Sequence, residues 1–176
     1  MKRSMPRFDI IGQLGSLRRY ARSLTRDSSD AEDLVHDALV RAYERRATFR
    51  SSGNLRAWLL SIVHNTFIDK MRSRKSEAAR LEQAGYLAEG STPPPQEHSV
   101  RLAQVREAFF SLPEEQRSAL HLVAIEGLSY QQAADASSVP LGTLMSRIGR
   151  ARAALREMED AAPSKTKNHL RIVGGP

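Results

Sequence analysis

Arg147, Arg150 and Arg152 stand in "LGTLMSRIGRARAAL", residues 141–155, whose other members are mostly apolar or small. A guanidinium is charged at any physiological pH and offers five N–H donors in a rigid fork, which suits it to phosphates, carboxylates and the acceptor edges of bases. With ~100° of helical turn per residue, Leu141, Leu144, Ile148, Ala151, Leu155 and Met158 fall on one stripe and predict the buried side of a helix. Ser146, Gly149, Arg150 and Ala153 fall opposite, Met145 at the edge of that face, Arg147 at one margin of the stripe, and Arg152 and Arg156 at the other. Small residues in the middle let the backbone approach a grooved ligand. Cations at the margins reach phosphates and Arg150 reaches a base edge, whereas the solvated face of a bundle more often carries Glu and Lys.

Two further clusters have a chemistry of their own. Asp30, Glu32, Asp33 and Asp37 make an acidic patch at the start of a helix in a chain of net charge +7. Acids in a first turn complement the helix dipole, but Asp37 lies beyond that turn, so a basic protein partner is the natural use of the patch. In "FIDKMRSRKSEAAR", Lys70, Arg72, Arg74, Lys75 and Arg80 give another helix a cationic end. A few such cations would merely offset the dipole. Their density favours phosphate contacts with strong salt dependence.

Other chemistries find little support. There is no cysteine, which excludes disulfides, thiolate metal sites and a cysteine nucleophile. His36, His64 and His121 lie near carboxylates in sequence, but neither metal-ligand spacing nor a glycine-rich phosphate loop accompanies them. The expectation is a non-enzyme without metal or cofactor. A hydrolase using those histidines is the weaker alternative. A pI near 10.2 favours polyanionic partners. No stretch has the apolar core of a signal peptide or approaches the ~18 apolar residues of a membrane span, so a soluble cytoplasmic protein without membrane insertion is expected.

Positioning these groups requires helices, and apolar residues recur at helical spacing almost throughout. An all-α fold follows, with two small helical domains joined by an extended linker. Ile11, Leu14, Leu17, Ala21 and Leu24 mark a first helix. Ser29 and Glu32 have capping-box spacing before Leu34, Val35, Ala38, Leu39 and Ala42, the stripe of a second. Asn54 is placed to cap a third, from Leu55 through Trp58, Leu59, Ile62, Val63 and Phe67 to Arg74. These form a first domain within residues 1–80. Trp58 lies in the apolar stripe and reads as core more readily than as a stacking platform.

Residues 81–100, with Gly, Ser and three consecutive prolines, read as a flexible linker. The second domain spans 101–160: a helix from Leu102 to Phe110, one from Pro113 to Ile125 stopped by Gly127, a short one capped by Ser129 and Gln132, and, after Val139-Pro140, the arginine-bearing helix. A short capped helix, a tight turn and a longer basic helix make the pattern of a helix-turn-helix. Residues 161–176 are polar and breaker-rich, the composition of a disordered tail.

Three stretches, "DAEDLVHDALVRAY" (30–43), "LRAWLLSIVHNTFIDKMR" (55–72) and "LPEEQRSALHLVAIEGLSYQQAADASSVPLGTLMSRIGRARAALR" (112–156), together resemble the extracytoplasmic-function sigma factors of bacterial RNA polymerase. The resemblance covers about residues 10–158. It implies promoter-directed transcription initiation in an envelope or general stress response, under an anti-sigma factor. The first domain would be sigma region 2, docking on the β′ clamp helices of core polymerase through Asp30, Glu32, Asp33, Leu34 and Asp37. It would also open the minus-ten element, with Phe49, Asn54 and Asn65 around a flipped base and Lys70, Arg72 and Arg74 on phosphates. The second would be region 4, meeting the β flap and reading the minus-thirty-five element through Thr143, Met145, Ser146, Arg147, Gly149, Arg150 and Arg152. Family members usually carry Gln at 36, Phe at 39 and a basic residue at 145, where this chain has His36, Leu39 and Met145. The first two changes are mild, and the third bears on which minus-thirty-five sequence is read. A regulator with a response-regulator-like helix-turn-helix is the competing class, but residues 1–80 offer no β/α alternation for its receiver domain.

Overall fold

The computed structural model describes residues 9–50, 52–82 and 100–161. The expected linker and tail therefore lie almost wholly outside the described residues. Among the described residues seven α-helices run in the order α1 (Leu14–Thr25), α2 (Ser28–Glu44), α3 (Leu55–Glu82), α4 (Val100–Ser111), α5 (Glu114–Leu120), α6 (Tyr130–Ala136) and α7 (Leu141–Ala161), and a π-turn over His121–Ile125 follows α5. No strand occurs among the described residues.

The helix limits follow local chemistry, with some departures from expectation. Arg26, in the left-handed region at φ 63°, ends α1, and the Asp27 side chain caps α2 by accepting from Asp30 N at 2.9 Å. The capping box expected of Ser29 and Glu32 does not form. Ser29 is already inside α2, because Asp27 holds the cap position and its carboxylate takes the Asp30 N–H, and Glu32 turns to Arg18 at 3.1 Å. Asp27→Ala is accordingly expected to cost about 1 kcal/mol of stability and Ser29→Ala a few tenths at most, as thermal denaturation of the two variants would show.

Asn54 caps α3 as expected, its Oδ1 accepting from Ala57 N at 3.1 Å. That helix runs to Glu82 rather than Arg74. At Ser129 both capping-box hydrogen bonds are present. The helix expected from Pro113 to Ile125 instead passes into the π-turn, where Glu126 N reaches His121 O at 3.0 Å, and it ends at Gly127 with φ 69°.

In α2, Leu34, Val35, Ala38 and Ala42 are buried against α1 and α3. In α7, Leu144, Ile148 and Ala151 are buried against α5 and α6, whereas Leu141 and Met158 at the stripe's ends remain 39% and 38% exposed. The stripe is therefore shorter than the wheel predicts. The two halves do not keep separate cores. Helix α1 packs on α5, and α3 packs on α6 as well as on α1 and α2, so one hydrophobic cluster runs through both. This explains the broad burial of α3, where Leu59, Leu60, Ile62, Val63, His64, Thr66 and Phe67 are all inside.

Candidate nucleic-acid and protein interfaces

The outward face of α7 is built by what α7 buries. With Leu144, Ile148 and Ala151 facing inward, Thr143, Met145, Ser146, Gly149, Arg150 and Arg152 are exposed. An added Cβ at Gly149 would meet nothing within 4 Å, so the helix surface there is open to close approach. The turn before α7 places Ser138 at φ 54° and leaves Pro140 O to accept from Leu144 N at 3.1 Å. A cleft of about 440 Å³ lies between α5 and α7, lined by Gln116, Thr143, Ser146, Arg147 and Arg150 among others. Arg147 is not free: its guanidinium meets Glu115 at 3.0 Å and is only 21% exposed.

On the first half, the acidic patch and the cationic end of α3 are neighbours. Lys70 Nζ lies 2.6 Å from Asp37, Arg74 bridges to Asp30 at 3.3 Å, and Arg41 holds Asp69 at 2.7 Å. Exposed pairs of this kind contribute about 0–1 kcal/mol, so they orient α2 on α3 while remaining exchangeable for other partners. Asp33 is exposed. Leu34 does not belong with these surface acids, being 1% exposed and part of the core. Asn65 and Arg72 point outward from α3, and Arg72 borders an apolar groove of about 490 Å³ with Ile68, Met71, Lys75 and Glu114. Phe49 is half-buried with its ring 5.3 Å from Trp58, and Trp58 packs against the core as its stripe position predicts. Asn54 spends its side-chain oxygen on the α3 cap.

Sequence reasoning missed a third constellation, where the halves meet. Tyr20 of α1 is wholly buried. Its hydroxyl and His64 Nδ1 of α3 are 2.9 Å apart, and its ring centroid lies 5.3 Å from that of His121. Arg117, 2% exposed, donates from Nε to Ser23 O of α1 at 2.6 Å and from Nη1 to Leu112 O at 2.7 Å. Glu126, equally buried, accepts from Arg19 at 3.2 and 3.3 Å and lies 3.2 Å from His121 Nε2, while its carbonyl accepts from Arg56 at 3.3 Å.

Burial lowers the His64 pKa to about 4, helped by the charge of Arg147. Burial likewise brings Arg117 to about 10 and lifts Tyr20 well above its ordinary value. For Glu126 burial pushes upward, but hydrogen bonds from His121, Ser16 and Arg19, with the Arg19 charge, outweigh it and hold the carboxyl at about 2. A weak signal for this site was present: Arg117, His121 and Glu126 interrupt an otherwise apolar run at spacings of four and five.

Among the described residues no group of His, Cys, Asp and Glu is placed to hold a metal, and no helix is long and apolar enough to cross a membrane. The family model for Sigma-70 region 2 matches residues 12–77, and that for Sigma-70 region 4 matches residues 102–155. The chain is 34% identical to the ECF RNA polymerase sigma factor EcfG of Rhodopseudomonas palustris, over 96% of this chain and 95% of the relative. Among solved structures, it is similar to the sigma factor RpoE of Bartonella quintana, in complex with the anti-sigma factor NepR. That match has a TM-score of 0.73 and 34% identity and covers 88% of this chain and 96% of the other. It is also similar to a chain in the complex of CnrH with the cytosolic domain of CnrY, with a TM-score of 0.61 and 31% identity over 88% and 87% of the two chains.

Proposed function

The chain belongs to the extracytoplasmic-function family of RNA polymerase sigma factors, and we propose from that premise how its surfaces divide the work. It directs core polymerase to specific promoters, under control of an anti-sigma factor, as part of an envelope or general stress response. It contributes binding rather than chemistry of its own. Asp30, Glu32, Asp33 and Asp37 dock on the basic surface of the β′ clamp helices, exchanging Lys70 and Arg74 for polymerase cations. The released Lys70 and Arg74, with Arg72, then hold minus-ten phosphates, and Asn65, Phe49 and the loop before α3 line the flipped base. The second half meets the β flap and reads the minus-thirty-five element.

The observation that carries this reading is the outward face of α7, where Met145, Ser146, Gly149 and Arg150 are exposed opposite the buried Leu144, Ile148 and Ala151. Arg150 has the charge and reach for bidentate contact with a base edge, and Ser146 can add one hydrogen bond. Met145 offers apolar contact, and Gly149 leaves specificity there to groove shape. Arg147 and Arg152 hold phosphates and set register. Anti-sigma control is supported by the likeness to RpoE bound to NepR.

Run-off transcription with purified core enzyme, on templates selected by genomic binding, tests the assignment. A promoter-dependent product is expected, and none at any sigma concentration refutes it. In the same assay Arg150→Ala is expected to weaken discrimination between matched and scrambled minus-thirty-five elements about tenfold or more, with core binding unchanged. Equal discrimination in the two proteins would remove Arg150 from the reading set.

A further inference from the structure

Arg26 ends α1 in the left-handed region, at φ 63° and ψ −4°. A residue with a Cβ is strained there, and helices ordinarily end on glycine at such a position. No contact of the side chain offsets that strain. It is exposed and has neither a hydrogen bond nor an ion pair among the described residues. The Arg26 main-chain N–H donates to Arg22 O at 3.0 Å, which a glycine would do equally well. The charge carries a second cost. Burial first, and then Arg26, lower the pKa of buried Arg117 to about 10, so two cations repel where a glycine would leave one. A residue that is unfavourable to the fold on both counts has its use outside the fold.

Arg22, one turn earlier on the same face of α1, is also exposed and without a side-chain partner among the described residues. Arg18, one turn earlier again, meets Glu32 at 3.1 Å, which places this edge of α1 beside the first turns of α2. From the other side Arg74 of α3 reaches Asp30 in those same turns, at 3.3 Å. Each of these two acids is already paired with a cation of a neighbouring helix. Arg22 and Arg26 therefore continue onto α1 the cationic end of α3, where Arg72 and Lys75 are exposed. The loop expected to line the flipped base precedes α3, and Arg72 lies about 25 Å further along the helix axis. A duplex following α3 away from that base would arrive at Arg22 and Arg26.

We propose that Arg22 and Arg26 form a phosphate-binding edge of α1, which grips the promoter duplex beyond the minus-ten contacts without reading its sequence. The inference rests on the function proposed above. Guanidinium forks match phosphate oxygens, and continuity with the α3 cations favours DNA over an acidic protein surface. Arg26→Gly removes the charge and the strain together. It should leave the melting temperature unchanged or raise it by a few degrees, and a fall would overturn the premise that the side chain does not serve the fold.

Core RNA polymerase loaded with each variant is titrated onto promoter duplex between about 50 and 200 mM salt. Arg26→Gly and, independently, Arg22→Ala should each weaken binding about three- to tenfold and reduce the slope of log affinity against log salt by about 1. The loss should be the same on matched and scrambled minus-thirty-five elements, with affinity for core unchanged, and Arg26→Lys should restore the slope. An unchanged slope in either variant would overturn the edge. So would a loss confined to core binding, the mark of an acidic protein partner. If even the unsubstituted chain directs polymerase to no promoter, the proposed function fails. The full chain alone on a random-sequence duplex then decides the edge: a slope lower by about 1 in each variant supports it, and equal slopes or no binding overturn it.

Discussion

Arg117→Ala is expected to lower the free energy of unfolding by about 3 kcal/mol, whereas Arg150→Ala should stay within about 0.5 kcal/mol. Both remove one guanidinium, and the difference lies in what each leaves behind. Arg150 is exposed, and its loss uncovers nothing. Arg117 is 2% exposed and satisfies two main-chain carbonyls, Ser23 O and Leu112 O, while its charge lies 5.8 Å from the centre of the Phe110 ring. Truncation strands both acceptors, at about 1–3 kcal/mol each where water cannot enter, and leaves a cavity in a continuous core. Arg117→Lys should recover part of the loss, because an ammonium can reach one carbonyl but not fork to two. Chemical denaturation of the three variants checks the order. An Arg117→Ala protein as stable as Arg150→Ala would show that this guanidinium is not holding the halves together.

Arg117 also marks where the sequence stops being legible. Helix periodicity exposed the all-α class, the helix-turn-helix and the division of α7 into a buried and an exposed face, because a 3.6-residue repeat is a local property. Ser129 and Asn54 were readable as caps for the same reason. The Ser29 box was misplaced because Asp27 competes for the same free N–H groups, and spacing alone does not rank two adjacent caps. The π-turn at His121–Ile125 leaves no periodic trace, yet it brings His121 and Glu126 together inside.

The largest gap is the interface between the two halves. Two domains with a linker were expected to have independent cores, but Arg19 and Glu126 meet across 107 positions, a pairing that no local pattern encodes. One clue was legible: Leu59, Leu60, Ile62 and Val63 make α3 apolar on more than one side, as befits a helix buried on several faces. At the surface sites, the acids and cations of α2 and α3 were identifiable by type. Their mutual pairing, like that of Arg147 with Glu115, depends on tertiary packing.

Acid should weaken the fold before the buried carboxylate of Glu126 is protonated. His64 is buried between α1 and α3 with its pKa lowered from 6.5 to about 4, by burial first and by Arg147 second. Between those values the unfolded chain binds a proton that the folded chain refuses, so stability falls as pH drops, by up to ~1.4 kcal/mol per unit. The loss from this residue alone reaches about 3 kcal/mol near pH 4, below which both states are protonated and its contribution stops changing. Glu126 acts in the adjoining window. Its folded value of about 2 lies below the ordinary 4.5, so the stability it contributes is complete above 4.5 and lost as pH falls towards 2. His64→Gln keeps a hydrogen-bonding group near the Tyr20 hydroxyl but cannot titrate. Urea denaturation at pH 7, 6, 5 and 4.5 should therefore show the two proteins diverging in slope, with the unsubstituted chain the steeper. Parallel curves across that range would mean that His64 takes up its proton as readily folded as unfolded, contrary to the effect of its burial beside Tyr20 and of the Arg147 charge.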